Sequence, residues 1–173
     1  MLQAHVLPAE PASTVVPEKA REGIDVRING ESFRHTGDPQ MPLLWYLRDV
    51  LRLTGTKYGN GNGADLVLVG DTAVPAGTVV MQALAGKSIT TVEGLATADG
   101  SLHPLQQAFI DEDAIGCGYC TPGWLIAGAA LLRRKPKAGD DDIDQLPNLC
   151  RCGCQTRVRR AIKRAAAGKA GQP

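Results

Sequence analysis

The chain has 173 residues, a length that fits one large domain or two small ones. Hydrophobic residues make up 43% of it, and 19 Lys and Arg against 18 Asp and Glu give a formal net charge of +1. This balance excludes wholesale disorder and disfavours nucleic-acid binding driven by bulk charge. Because no stretch approaches the roughly 20 apolar residues of a membrane span, no transmembrane segment is predicted.

Residues 1–22 are predicted to form a flexible N-terminal arm. Three prolines interrupt this segment, and it lacks the basic start and sustained apolar run of a secretory signal. Such a composition is typical of arms and linkers rather than of packed elements. We therefore expect the folded part of the chain to begin at residue 23.

Residues 23–96 are predicted to form a small α+β domain. Ile24, Val26 and Ile28 alternate with polar residues and precede Asn29-Gly30, which indicates a β-hairpin. Pro42 suits the first position of a helix whose apolar spacing continues to about residue 53. Further strands are expected at 66–69 and 89–92, after a loop rich in Gly and Asn.

Residues 97–173 are predicted to form an all-helical domain. Apolar spacing indicates four helices, at about 104–113, 122–134, 140–146 and 156–168. All five cysteines of the chain belong to this domain and lie between Cys117 and Cys154. An odd and clustered set of cysteines indicates a metal or cofactor site more than a disulfide framework.

Four of these cysteines have a spacing that suits a metal centre. Cys117 and Cys120 are separated by two residues, and after 29 more residues Cys150 and Cys152 are separated by one. Four thiolates hold either a tetrahedral zinc ion or an iron-sulfur cluster. The gap of one residue is less typical of zinc, whose ligand pairs are commonly two to four residues apart. At this point both kinds of centre are open.

The sequence around the cysteines suits a negatively charged centre. Thr121 is predicted as an N-cap with Pro122 as the first helical residue, and another helix begins at Gln155 after the second pair. Two positive helix ends would then face the site, where an oxidised 2Fe-2S core with four thiolates carries a charge of about −2. The charged residues after Asp144 are all basic, and they either compensate this charge or form a solvated helix face.

Several motifs around the cysteines and in the N-terminal half occur together. Cys117-Gly-Tyr-Cys-Thr-Pro-Gly, Asn148-Leu-Cys-Arg-Cys-Gly and His103-Pro-Leu-Gln-Gln-Ala-Phe-Ile resemble the helical 2Fe-2S domain of the xanthine oxidase family of molybdenum hydroxylases. Val26-Arg-Ile-Asn-Gly and Pro42-Leu-Leu-Trp-Tyr-Leu-Arg-Asp are similar to the family's ferredoxin-like domain. The resemblance covers about residues 24–168 and implies a β-grasp domain followed by a four-helix cluster domain.

The resemblance implies an electron-transfer subunit that has no catalytic residue of its own. Such subunits relay electrons from a molybdopterin cofactor that a separate large subunit carries. By this resemblance Cys117, Cys120, Cys150 and Cys152 hold the 2Fe-2S cluster nearest molybdenum, and Cys152 lies next to the pterin. The alternative is a non-redox scaffold subunit whose cysteines hold a structural zinc ion or nothing.

The first domain departs from the family, whose members carry a second cluster there. Plant-type clusters need C-x4-C-x2-C and a distant fourth cysteine, but this half has no cysteine. Alignment with the family motif puts Asn60, Asn62 and Asp65 at or near the first three ligand positions and Gly77 near the fourth. We therefore predict a single cluster, with a plain glycine turn closing the vacated space. The alternative is a calcium ion held by oxygen atoms of this loop.

Two more departures lie beside the predicted ligands. Gly116 occupies a position where the family usually has a Gln that contacts the pterin. Cys154 occupies a position where the family has Thr or a similar residue. We interpret Cys154 as an incidental small residue, and its use as a swapped ligand is the alternative.

The loss of the first cluster bears on the partners of the chain. Besides the large subunit, a cytochrome c or another electron acceptor is expected, because electrons must leave the remaining cluster by a different path. Reduced thiol ligands make the cytoplasm the default compartment. Export of the folded chain with a signal-bearing partner is the alternative.

Overall fold

A five-stranded mixed sheet forms the N-terminal half in the computed structural model, which describes residues 23–59, 61–97 and 99–169. Its strands are β1 (Ile24–Ile28), β2 (Glu31–His35), β3 (Leu66–Val69), β4 (Thr72–Pro75) and β5 (Ser88–Thr90), in the order β2-β1-β5-β3-β4. β1 and β5 are parallel, and the other neighbours are antiparallel. This order confirms the predicted α+β class with a β-grasp sheet. The predicted arm, 1–22, lies outside the described residues.

The predicted hairpin forms between β1 and β2. Asn29 and Gly30 have φ angles of 51° and 88°, the left-handed conformations that a tight two-residue turn requires. The Asn29 amide also accepts a hydrogen bond from the Thr91 backbone (2.9 Å) and donates one to its hydroxyl (3.0 Å). The turn therefore connects the hairpin to the segment that follows β5.

The helix predicted after Pro42 is shorter and less regular than expected. α1 covers only Leu43–Trp45 and continues as a π-helix over Tyr46–Val50. The N–H of Leu51 bonds the carbonyl of Tyr46 at 3.0 Å, a step of five residues instead of four. Packing decides this geometry, because the segment buries Leu43, Leu44, Tyr46 and Leu47 against the sheet. Apolar spacing alone does not distinguish the two helix types.

Four helices form the C-terminal half, as predicted. They are α2 (Pro104–Asp111), α3 (Thr121–Arg134), α4 (Asp140–Asp144) and α5 (Gln155–Lys169). α3 lies at the centre, where residues 123–132 are all buried. Among the described residues, no helix is both long and apolar enough to cross a bilayer.

The basic side chains of α5 are mostly paired with acidic residues on neighbouring elements. The pairs are Arg157 with Asp113, Arg159 with Asp140 and Asp144, Arg160 with Glu112, Lys163 with Asp140, and Arg164 with Asp111 and Glu112. These partners come from α2, from the residues just after it, and from α4. The basic face therefore joins α5 to its neighbours, and most of its charge is compensated locally.

The two halves share packing along β3 and at the start of α3. Val67 belongs to the buried cluster of the sheet and α1, whereas Leu66 and Leu68 belong to the buried cluster of the helices. At the start of α3, a Cβ built on Gly123 would lie 1.8 Å from the carbonyl oxygen of Gly63. The predicted boundary between 23–96 and 97–173 stays a prediction. Residues on its two sides pack against each other along β3 and at the start of α3.

Replacing Gly123 by Ala is expected to destabilise the chain. The new Cβ would meet backbone atoms of Gly63, which cannot move aside as a flexible side chain can. We expect a loss of about 1–3 kcal/mol in the free energy of unfolding, measured by urea denaturation. Gly168→Ala is the control, because a Cβ there meets nothing within 4 Å. Equal stability of the Gly123→Ala variant and the parent would contradict the close contact.

Candidate iron-sulfur site

The cysteines lie on two segments that each lead into a helix. Cys117 and Cys120 precede α3, and the remaining three cysteines precede α5. The carbonyl of Cys120 accepts the hydrogen bond of Trp124 (3.1 Å), and the carbonyl of Cys154 accepts that of Val158 (2.9 Å). Cys120 is thus the N-cap of α3, one residue before the predicted Thr121. Both helices begin directly beside a thiol, so their positive ends lie at the site.

The four predicted ligands are arranged as two pairs of thiols. The side chains of Cys117 and Cys152 are hydrogen-bonded to each other, and both residues are exposed. Those of Cys120 and Cys150 are also hydrogen-bonded, and both residues are buried. Two pairs suit a dinuclear cluster, in which two thiolates bind each iron.

Backbone N–H groups point at the sulfur atoms. The N–H of Tyr119 and the thiol of Cys152 donate to Cys117 and lower the pKa of its thiol. Cys150 accepts hydrogen bonds from the backbone N–H groups of Cys154 and Cys152. Burial raises the pKa of Cys120 to about 12, and the hydrogen bond that it donates to Cys150 adds to this rise. The donor set fits an anionic sulfur-rich group, whose thiolates need such N–H partners.

A cavity of about 570 Å³ opens over three of the four thiols. It is lined by Asn62, Cys117, Tyr119, Cys120, Leu149, Cys150, Arg151 and Gln155. Arg151 is exposed and brings a positive charge to the cavity wall. Asn62 comes from the N-terminal half, so this half contributes to the wall as well. The cavity places solvent, or the surface of a partner, directly beside the thiols.

The N-terminal half packs closely against both cysteine segments. The buried amide of Asn148 donates to the carbonyl of Gly63 at 2.8 Å, and the N–H of Leu149 donates to the carbonyl of Asn62 at 3.2 Å. Gly63 also contacts the start of α3 through Gly123. The sequence motif that contains Asn148 predicted no structural role for it, whereas in the structure its amide joins the halves.

Two hydrogen bonds hold the loop at the vacated ligand positions, whereas Oδ1 of Asp65 has no hydrogen-bond partner among the described residues. Asp65 is 4% exposed, and its Oδ2 accepts a hydrogen bond from the N–H of Gly77 at 3.2 Å. The Oδ1 of Asn62 accepts one from the N–H of Ala64 at 3.0 Å. These side chains therefore act as acceptors for the backbone, as in a glycine turn. Asn60 lies outside the described residues.

A group around Cys154 was not predicted. Cys154 is 1% exposed, and its Sγ lies 3.4 Å from Nη2 of Arg157, which also pairs with Asp113. A Cβ on Gly116 would lie 3.1 Å from the same Sγ. The three-residue spacing of Cys154 and Arg157 on one helix turn is a signal that is already present in the sequence.

Comparison with known proteins agrees with these observations. Residues 91–163 match the family profile described as a 2Fe-2S binding domain. One of the subunits of nicotinate dehydrogenase from Pseudomonas putida is 41% identical over 148 residues, which are 83% of this chain and 94% of the relative. The alpha subunit of isoquinoline 1-oxidoreductase from Brevundimonas diminuta is 41% identical over 149 residues, covering 83% of this chain and 97% of the relative.

A solved structure shows the same arrangement of both halves. The crystal structure of quinoline 2-oxidoreductase from Pseudomonas putida 86 contains a chain that superposes with a TM-score of 0.76 at 32% identity. The match covers 87% of this chain and 98% of that one, so it includes the sheet and the helices. The chain therefore belongs to the small iron-sulfur subunits of the molybdenum hydroxylases of the xanthine oxidase family.

Proposed function

We propose that this chain is the electron-transfer subunit of a molybdopterin-dependent oxidoreductase and holds one 2Fe-2S cluster through Cys117, Cys120, Cys150 and Cys152. The arrangement of these thiols as two hydrogen-bonded pairs carries the proposal. When bound, such a cluster accepts and releases one electron at a time. We assign no residue of this chain as a base or nucleophile for substrate oxidation.

The residues around the thiols hold and tune the centre. Cys120 and Cys150 anchor it on the more buried side, and backbone N–H groups donate to the Cys150 sulfur. The starts of α3 and α5, together with Arg151, place positive charge beside it. The N–H donors, the positive helix starts and Arg151 favour the more negative, reduced state of the centre.

The exposed pair of thiols faces the proposed partner. Cys117 and Cys152 are accessible, so a large subunit that carries molybdopterin can approach within a short distance. With the partner bound, Cys152 would be the ligand on the side of the pterin, which would keep the distance for electron transfer short. Tyr119 and Leu149, which are 43% and 67% exposed, form an apolar rim beside the same cavity.

The N-terminal half of the proposed subunit keeps its fold without a second cluster. The buried Asp65 carboxylate and its bond to Gly77 occupy two of the vacated ligand positions. A single cluster held in the helical half would pass its electrons directly to a docked acceptor, such as a cytochrome c. We place cluster assembly in the cytoplasm, where thiol ligands stay reduced. Stopped-flow mixing of the reduced complex with cytochrome c, and cell fractionation, test these two assignments.

Metal analysis of the purified protein tests the number and kind of centres. We expect about two iron atoms and two acid-labile sulfides per chain, with the red-brown colour and EPR signal of a reduced 2Fe-2S cluster. Four irons per chain would contradict the loss of the first cluster. One zinc ion in a colourless protein would overturn the electron-transfer function.

Substitution of a buried ligand tests the assignment of the thiols. Cys120→Ala is expected to abolish iron binding and visible absorption, because one iron loses half of its protein ligands. Leu149→Ala is the matched control, since Leu149 lines the same cavity but has no ligand atom. Two irons retained by the Cys120→Ala variant would remove Cys120 from the ligand set.

Substitution of Asp65 tests the role of the vacated site. Asp65→Ala leaves the partly buried N–H of Gly77 without its acceptor, so we expect a loss of about 1–3 kcal/mol in the free energy of unfolding. The iron content is expected to stay at two. Asp71→Ala is the control, because the Asp71 side chain is 80% exposed and pairs only at the surface. A drop in iron content in Asp65→Ala, but not in Asp71→Ala, would show that Asp65 contributes to metal binding.

A further inference from the structure

Cys154 lies within the group of ligand thiols although four other cysteines complete the proposed ligand set. Cys154 is 1% exposed and directly precedes α5. Its backbone N–H and its thiol both donate hydrogen bonds to the sulfur of Cys150. Cys154 thus supplies two hydrogen-bond donors to the sulfur of Cys150, one from its backbone and one from its side chain.

An arginine donates a hydrogen bond to the Cys154 sulfur. Nη2 of Arg157 donates to Sγ of Cys154 at 3.4 Å, and its Nη1 is paired with the Asp113 carboxylate. A guanidinium has donors only, so the Cys154 sulfur acts as the acceptor in this contact. The proton of the thiol is then free to point at Cys150. Asp113 has a φ angle of 46°, an uncommon conformation for a residue other than glycine, and its carboxylate holds the arginine.

The backbone of Gly116 lies close to the Cys154 sulfur. A Cβ on Gly116 would lie 3.1 Å from Sγ of Cys154 and 2.8 Å from Cβ of Cys152. Glycine at this position therefore allows the Cys117 segment to close over the Cys154 thiol. The thiol is enclosed by Gly116, Cys150 and Arg157, and water cannot compete for its proton.

We propose that Cys154 is a positioning residue: held by Arg157 and Asp113, it donates a hydrogen bond to the Cys150 sulfur and raises the reduction potential of the cluster. This inference rests on the proposed cluster function. Reduction adds negative charge that is shared by the thiolate ligands, so a hydrogen bond to a ligand sulfur is stronger in the reduced state. Loss of that bond destabilises the reduced state more than the oxidised one.

Potentiometric titration of the cluster, followed by EPR in the chain purified with its large subunit, tests the inference. Cys154→Ala removes the side-chain donor. We expect the equilibrium constant for reduction of the cluster to fall about tenfold, which equals a downward shift of about 59 mV in the reduction potential for one electron. Cys154→Ser keeps a donor, and its potential is expected to lie closer to that of the parent. Iron content is measured on the same samples and is expected to stay at two.

A pair of arginine variants separates the hydrogen bond from the effect of charge. Arg157→Gln and Arg164→Gln each remove one positive charge from α5, but only Arg157 contacts the Cys154 sulfur. We expect Arg157→Gln to lower the potential more than Arg164→Gln. This comparison tests the inference even where Cys154→Ala fails to fold.

Each other outcome has a distinct meaning. Unchanged potentials in Cys154→Ala and Arg157→Gln would overturn the positioning role. Loss of iron from both Cys154→Ala and Cys154→Ser would make Cys154 a ligand and would overturn it as well. A parent protein without iron would refute the proposed function itself, before any variant is compared.

Discussion

The start of α3 lies so close to the carbonyl of Gly63 that no side chain fits between them. This contact fixes the first turn of α3, and with it Cys120, relative to the sheet. The amide of Asn148 bonds the same carbonyl at 2.8 Å and fixes the segment that carries Cys150. One peptide group of the N-terminal half therefore sets the distance between both cysteine segments. The N-terminal half therefore positions the cysteine segments without needing a cluster of its own.

Charge is handled separately at the site and on the helical surface. The basic residues of α5 pair with acidic groups of α4, of the last residue of α2 and of the residues just after it, so they join neighbouring elements more than they compensate the thiolates. At the site itself, backbone N–H groups, two helix starts and Arg151 face the sulfur atoms. Arg157 is the exception on α5, because it touches both Asp113 and the Cys154 sulfur.

The local patterns predicted most elements, and the errors have physical reasons. The Asn29-Gly30 hairpin and the four helices follow from turn chemistry and apolar spacing, which are local properties. The π-helix over Tyr46–Val50 follows from packing on the sheet, and β4 pairs at an edge where its sequence shows no strong alternation. The N-cap of α3 lies one residue earlier than predicted, because the geometry of Cys120 extends the helix.

Motifs and spacing were enough to establish the class of the protein, the four candidate thiols and the lack of cysteine in the N-terminal half. These are properties of the chain, and they do not depend on how distant segments meet. The division of the thiols into one buried and one exposed pair became visible only in the folded molecule. The same is true of the bond between Asp65 and Gly77 and of the position of Cys154 between Arg157 and Cys150. These contacts join residues from separate loops and helix starts, whose relative positions depend on the packing of the sheet against α3.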